Sequence, residues 1–311
     1  MDWKDEFWKL FLSDTAENIN NACLLKQQHI PQKLYRYRNV SSYNALERVL
    51  DEIATGDIFL AHPETFNDPF DCASVLSSAN ASDYMDKTEY KKEYAKLISP
   101  DKLDEIFSSE DWLRKLTDYA STLQPQVTYE KMNELLLTGL KRANNDISKI
   151  IRSGIKVACF SETDSNIPMW YHYTNNFSGV CIEYDKATFP INSVNSLFPV
   201  SYKNNFIDVV KGFYNKTLPT DIALYTLVAT HKFDDWSYEK EWRIIVPNSV
   251  LNCDDNSSGV LSFFDKPSRV ILGCKVHPIA EKNILKCCKE NNIECAKTSI
   301  TEFGLTKMKG I

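Results

Sequence analysis

The acidic residues of DDWSYEKEWRIIVP are the first sign of chemistry in this sequence. Glu239 and Glu241 stand two apart on a predicted strand or just ahead of one, so alternation turns both to one side. Two carboxylates held side by side repel; one then holds a proton unusually well, or a cation sits between them. Lys240 and Arg243 stand ready as partners, and a plain salt-bridged strand start is the competing reading. Three more segments mix aromatic, polar and charged residues at predicted strand ends. In LYRYR, Arg36 and Arg38 share one face and Tyr35 and Tyr37 the other. Arginines facing a cavity could grip a phosphate or carboxylate through paired bonds; on an edge strand they would sit in water. After CFSE, where Ser161 ends a strand, Trp170, His172 and Tyr173 follow on a short helix opened by Pro168. Trp170 and Tyr173 are three apart and share a face, either as core or as a rim that stacks on a flat ring. In FNDPFD, Asn67 and Asp68 tie a turn through their side chains or touch a ligand.

Other site types find less support. Ser161 lies in FSE rather than in a GxSxG-like elbow. Cys159 and His172 form a weak nucleophile–base pair, because Cys159 sits in an apolar strand. There is no HExxH, no GxGxxG and no GxxxxGK[ST], which argues against a zincin, a Rossmann site and a P-loop. The nine cysteines are irregularly spaced and contain no CxxC; reduced thiols and no metal site are expected. The formal net charge of -6 argues against broad phosphate binding, and no aromatic-and-basic RNA-binding pattern is present.

These residues need elements to hold them. Residues 1–30 read as helices, with Trp3, Phe7, Leu10 and Phe11 on one docking face. Strands are expected at 34–38 and 58–61, with a helix between them that Ser41 or Ser42 caps and Gly56 stops. From residue 80 to 152 apolar positions recur at helical period, including Met132, Leu135, Leu136 and Leu140, then Ile147, Ile150 and Ile151. Strands return at 157–161, 179–184, 199–202, 242–246, 260–264, 269–272 and 295–300, with helices from about Thr220 to His231 and from Pro278 through Cys288. Strand, helix, strand, helical block, then mostly strands gives an α+β fold: a mixed, largely antiparallel β-sheet, a split form included, with flanking helices. The expected parts are an N-terminal helical segment 1–30, an α+β core of 31–79 and 153–311, and a helical insertion 80–152. The acidic start and interrupted apolar stretches suit neither a signal peptide nor a membrane span, so a cytoplasmic protein is expected.

LYRYR, FNDPFD, CFSE, MWYHY (169–173), GVCIEYD (179–185) and YEKEWRII (238–245) together resemble the bacterial domain-of-unknown-function family 2971, over about residues 33 to 250. The layout also resembles, more distantly, the ADP-ribosyltransferase fold, with Glu239-Lys240-Glu241 similar to that fold's ExE signature. This second resemblance implies NAD, a small-molecule nucleotide, as substrate and no metal. It implies that Arg36 holds the diphosphate or ribose, with Arg38 beside it. Ser161 with Tyr37 or Trp170, and the neighbouring His172 and Tyr173, would place the nicotinamide ribose and ring. Glu241 would be the catalytic carboxylate and Glu239 would orient an acceptor, either a protein or a nucleic acid. A transferase or NAD glycohydrolase, as a toxin or anti-phage effector, is the function implied. A non-catalytic ligand- or protein-binding module of a defence or regulatory system is the alternative. A metal-dependent phosphoesterase or nuclease using Asp68, Asp71, Glu239 and Glu241 is the third.

Overall fold

A computed structural model describes residues 2–13, 15–204, 207–214, 222–251, 259–301 and 304–309. The chain is an α+β protein that divides into two compact units: Met1–Cys72 with Arg152–Asn204 and Asp221–Ile311, and Ala73–Ile151 with Asn205–Thr220. The second unit begins at Ala73 rather than at residue 80, and it takes in a later stretch of chain.

The strands of the first unit are β1 (Lys33–Arg38), β2 (Asp57–Ala61), β3 (Ile155–Ser161), β4 (Val180–Asp185), β5 (Leu197–Pro199), β6 (Ser201–Tyr202), β7 (His231–Lys232), β8 (Glu241–Pro247), β9 (Gly259–Phe263), β10 (Arg269–Leu272), β11 (Glu294–Thr301) and β12 (Gly304–Lys309). Ten of them make one mixed sheet in the order β12-β11-β10-β4-β1-β3-β2-β9, with β8 on β3 and β5 on β8. β6 and β7 form a separate parallel pair. Within the large sheet only β10 and β11 run parallel among the described pairs. The sheet is split. β1 pairs along its length with β4, from Lys33↔Asp185 to Arg38↔Val180, yet it meets β3 at a single rung, Tyr35↔Ser161. β3 instead runs beside β8, from Ile155↔Pro247 to Ser161↔Glu241.

The sequence dictates these elements locally. β4 and β10 carry short buried apolar runs, at 180–182 and 270–272, as strands covered on both faces do. Their cover includes Val49 and Ile53 of the helix Tyr43–Thr55 and Ala280, Ile284 and Cys288 of the helix Pro278–Glu290. Ser42 caps the first of these helices through Ala45 N, and Gly56 ends it at φ 80°. Gly179, just before β4, sits where a Cβ would collide with the Arg38 carbonyl and Thr174, so only glycine lets these backbones approach. The N-terminal helix Trp3–Phe11 docks as its apolar face suggests. Phe7 and Trp8 are buried, Phe11 meets Phe198 at 5.4 Å, and Trp3 stacks on Trp242 at 5.9 Å.

The second unit is helical. Lys87–Tyr94, Pro100–Phe107, Trp112–Leu123 and Tyr129–Ser153 are its main helices, around Leu103, Ile106, Phe107, Trp112, Leu113 and Leu116. The expected apolar stripe is only partly core: Leu136 and Leu140 pack inward, whereas Leu135 is 69% exposed and Ile150 57% exposed. Among the described residues no helix is long and apolar enough to cross a membrane.

The end of one helix and the last strand differ from expectation. The helix expected from Thr220 to His231 runs from Ile222 to Val228, and His231–Lys232 instead forms β7. Its first expected residues, 220–221, lie outside the described residues, as does Cys253. The strand β12 had no counterpart in the sequence reading.

Candidate functional site

Where β1 and β3 part, Tyr35, Tyr37, Cys159, Phe160 and Ser161 line a cavity of about 120 Å³. Phe66, Asn67 and Asp71 from the FNDPFD turn, Met169 and Tyr173 from the helix Ile167–Tyr173, and Lys232, Glu239 and Glu241 complete it. β1 contributes tyrosines because alternation sends Tyr35 and Tyr37 to this side. Glu239 and Glu241 arrive differently from the strand alternation expected. Glu239 ends a 3-10 helix, Lys240 takes a left-handed turn at φ 45°, and Glu241 opens β8. The turn at Lys240 is what keeps both acids on the cavity side. Ser161 fixes it from beneath, its Oγ donating to the Glu239 carbonyl at 2.7 Å and accepting from Thr163 N at 3.2 Å.

Five buried charges form one network. Arg243 donates to both carboxylate oxygens of Asp71, at 2.6 and 2.8 Å, and to both of Glu241, at 3.1 and 2.9 Å. Lys232 donates to Glu239 Oε2 at 2.6 Å and to Glu241 Oε2 at 3.3 Å. Tyr173 donates to Glu239 Oε1 at 2.7 Å. The two glutamates therefore diverge in acidity. Burial works to raise Glu241, but the charges of Arg243 and Lys232 outweigh it and hold its pKa at about 2. Burial and then the charge of Glu241 raise Glu239 above the usual carboxylate range, against the pull of Lys232. Burial and the Glu241 charge also push the Cys159 thiol well up, which makes it a poor nucleophile at neutral pH.

The structure gathers some predicted residues and separates others. Tyr37, Asn67, Ser161, Tyr173, Glu239 and Glu241 meet at the cavity. Arg36 does not face Glu241 across it, nor does it sit in water. β1 is an interior strand, and on its other face Arg36 donates to Glu52 at 3.2 Å and to the Phe59 carbonyl at 3.3 Å. Arg38 turns to the same Glu52, 3.7 Å away. Trp170 is fully buried beside the cavity, donating to the Asp164 carbonyl at 2.7 Å and stacking with Phe177. His172 is exposed on the outer side of its helix. Asp68 ties the turn by accepting from Phe70 N at 2.9 Å.

The cations of the site, Lys232 and Arg243, were not selected from the sequence as ligand-facing groups. Arg243 did carry a signal: an arginine inside the apolar strand WRIIV demands carboxylate partners once buried. Lys232 carried none, since it falls at the end of what reads as a helix. The three carboxylates of the site are already held by Lys232 and Arg243, and among the described residues no group of His, Cys, Asp or Glu is placed to hold a metal ion.

A mixed, split-sheet α+β protein with a buried ionic cavity is the class that fold and site define. Residues 169–244, about a quarter of the chain, match the family described as protein of unknown function (DUF2971). That stretch holds MWYHY, GVCIEYD and most of YEKEWRII, while LYRYR, FNDPFD and CFSE lie outside it. No curated protein and no solved structure matches the chain.

Proposed function

We propose that the protein consumes NAD, as an ADP-ribosyltransferase or NAD glycohydrolase, with the nicotinamide ring of NAD in this cavity. One observation carries the reading: Tyr37, Tyr173, Glu239 and Glu241, from distant segments, line one hollow at the seam of a split sheet. The volume, about 120 Å³ beside the roughly 150 Å³ of an engineered cavity that takes up benzene, is of single-ring order. The roles differ from those the resemblance implied. Glu241 is locked by Arg243 and Lys232, so it sets the network. Glu239 is the carboxyl that faces the ligand. As the glycosidic bond of NAD breaks, its electron pair moves to the ring nitrogen and nicotinamide leaves neutral. The Glu239 carboxylate stabilises the positive charge that develops on the ribose carbon, and then takes the proton of the attacking water or acceptor hydroxyl. Ser161 contributes by holding the Glu239 backbone, and Arg36 plays no part in the site.

A non-catalytic ligand-binding module is the second reading. It draws support from the same pairing of Glu241 with Arg243 and Lys232. The test is to incubate the purified protein with NAD and measure both binding and nicotinamide release. Release that falls by about 10²-fold or more in Glu239→Gln supports the enzyme. Saturable binding without release supports the module. Absence of both removes NAD from the account.

A further inference from the structure

The charges around the cavity do not balance. Asp71, Glu239 and Glu241 bring carboxylates, and only Lys232 and Arg243 answer them within the network. The next cation along, Arg152, donates to the backbone carbonyls of Asp71 and Pro69 rather than to a carboxylate. Arg243 is taken up by Asp71 and Glu241, and Lys232 by Glu239 Oε2 and Glu241. What is left is Glu239 Oε1, whose partner is a neutral hydroxyl, that of Tyr173.

Much of the rest of the wall is aromatic, with Asn67, Cys159, Ser161 and Met169 alongside the rings. Tyr35, Tyr37, Phe66 and Tyr173 contribute to it. The hydroxyl of Tyr37 donates to the Thr163 carbonyl at 2.9 Å, and that of Tyr173 is bound to Glu239. With these two hydroxyls engaged, the rings are what Tyr37 and Tyr173 offer a ligand. Aromatic rings beside an unbalanced carboxylate favour a cation over a neutral group of the same shape. The space of about 120 Å³ is of the order that one small ring or branched ammonium fills.

We propose that this cavity takes a compact quaternary-nitrogen cation, its charge met by Glu239 and its ring or methyl groups met by Tyr35, Tyr37, Phe66 and Tyr173. The proposal rests on reading this cavity as the ligand site and requires no turnover. Such a ligand brings the network to neutrality with all three carboxylates ionised. A neutral ligand leaves Glu239 to be neutralised by a proton.

The test is calorimetric titration of the whole protein with N-methylpyridinium and, separately, with its neutral isostere toluene. The cation is expected to bind about tenfold or more tightly than toluene. In Glu239→Gln the two affinities are expected to come within about threefold. Tyr173→Phe, which keeps both ring and carboxylate, is expected to retain the preference. Equal affinities in the unaltered protein, no binding of the cation, or a preference unchanged in Glu239→Gln overturns the proposal. The unaltered protein alone decides it should a variant not fold. Cation preference without nicotinamide release from NAD retires the enzymatic reading and leaves this one standing. Nicotinamide release without cation preference does the reverse.

Discussion

β1 separates two buried ionic clusters that are built on opposite principles. Behind it, the guanidinium groups of Arg36 and Arg38 share the single carboxylate of Glu52, which also accepts from the Tyr184 hydroxyl. In front of it, the carboxylates of Asp71, Glu239 and Glu241 share Lys232 and Arg243. The rear cluster is closed by the Phe59 carbonyl and by the Phe160 ring, 5.3 Å from Arg36. The front cluster borders a cavity. The lesson is that the sign of the surplus charge and its access to space, not the presence of conspicuous arginines, mark the candidate site.

The largest expected effect tests whether the front cluster is one unit. Arg243→Met leaves Asp71 and Glu241 buried without their main partner and is expected to cost about 3–5 kcal/mol, read from urea unfolding. A loss under about 1 kcal/mol there would dissolve the contrast. Acid tests the same unit without mutation. Glu241, held near pKa 2 rather than its ordinary 4.5, contributes stability that is present above 4.5 and lost as pH falls toward 2, a loss of about 3 kcal/mol. Glu239 has the opposite sign: its raised pKa gives stability that is present below 4.5 and lost as pH rises through its folded value. An earlier step belongs to His231 on β7, where burial lowers its pKa to about 4. Its contribution is complete above 6.5 and declines as pH falls from 6.5 to 4. Urea midpoints measured between pH 7 and pH 2 should therefore fall in two stages, the later one blunted in Arg243→Met.

The rear cluster should respond less. Glu52→Gln keeps the shape and the acceptor oxygen but removes the charge, at an expected cost of about 1–3 kcal/mol. A cost matching that of Arg243→Met would make the two clusters energetic equals. The smallest effects lie at the ExE turn. Lys240→Gly is expected to stabilise by up to about 1 kcal/mol, because a left-handed residue with a side chain gives way to one without that penalty. Glu239→Gln is expected to change stability by under about 0.5 kcal/mol at neutral pH, since loss of its pairing with Lys232 is offset by relief of its repulsion with Glu241. A marked loss in that variant would show Glu239 to be a structural anion like Glu241.

Much of the scaffold was legible because its determinants are local. Ser42 and Gly56 bracket a helix, Pro247 ends β8, and the apolar runs of β3 and β4 can lie only in a covered sheet. The gathering of Tyr37, Tyr173, Glu239 and Glu241 was legible as a set of unusual residues at strand ends. The direction of Arg36 was not, because alternation says that arginines and tyrosines part company but not which face holds the hollow. Lys232 was hidden because a short parallel pair such as β6 and β7 leaves no periodic trace in the sequence. The Glu239–Glu241 relation was right in outcome and mistaken in cause: a left-handed turn at Lys240, rather than strand alternation, brings the two acids together.

The single rung joining β1 to β3 has a mechanical consequence. The gap beside it is bounded by two strands that are each zipped along their other edge, to β4 and to β8. Widening it requires bending paired backbone, which is far stiffer than swinging a loop aside. On its strand side the cavity is thus expected to hold its width, so a larger guest must displace the FNDPFD turn, the helix Ile167–Tyr173 or the turn at Lys240 instead.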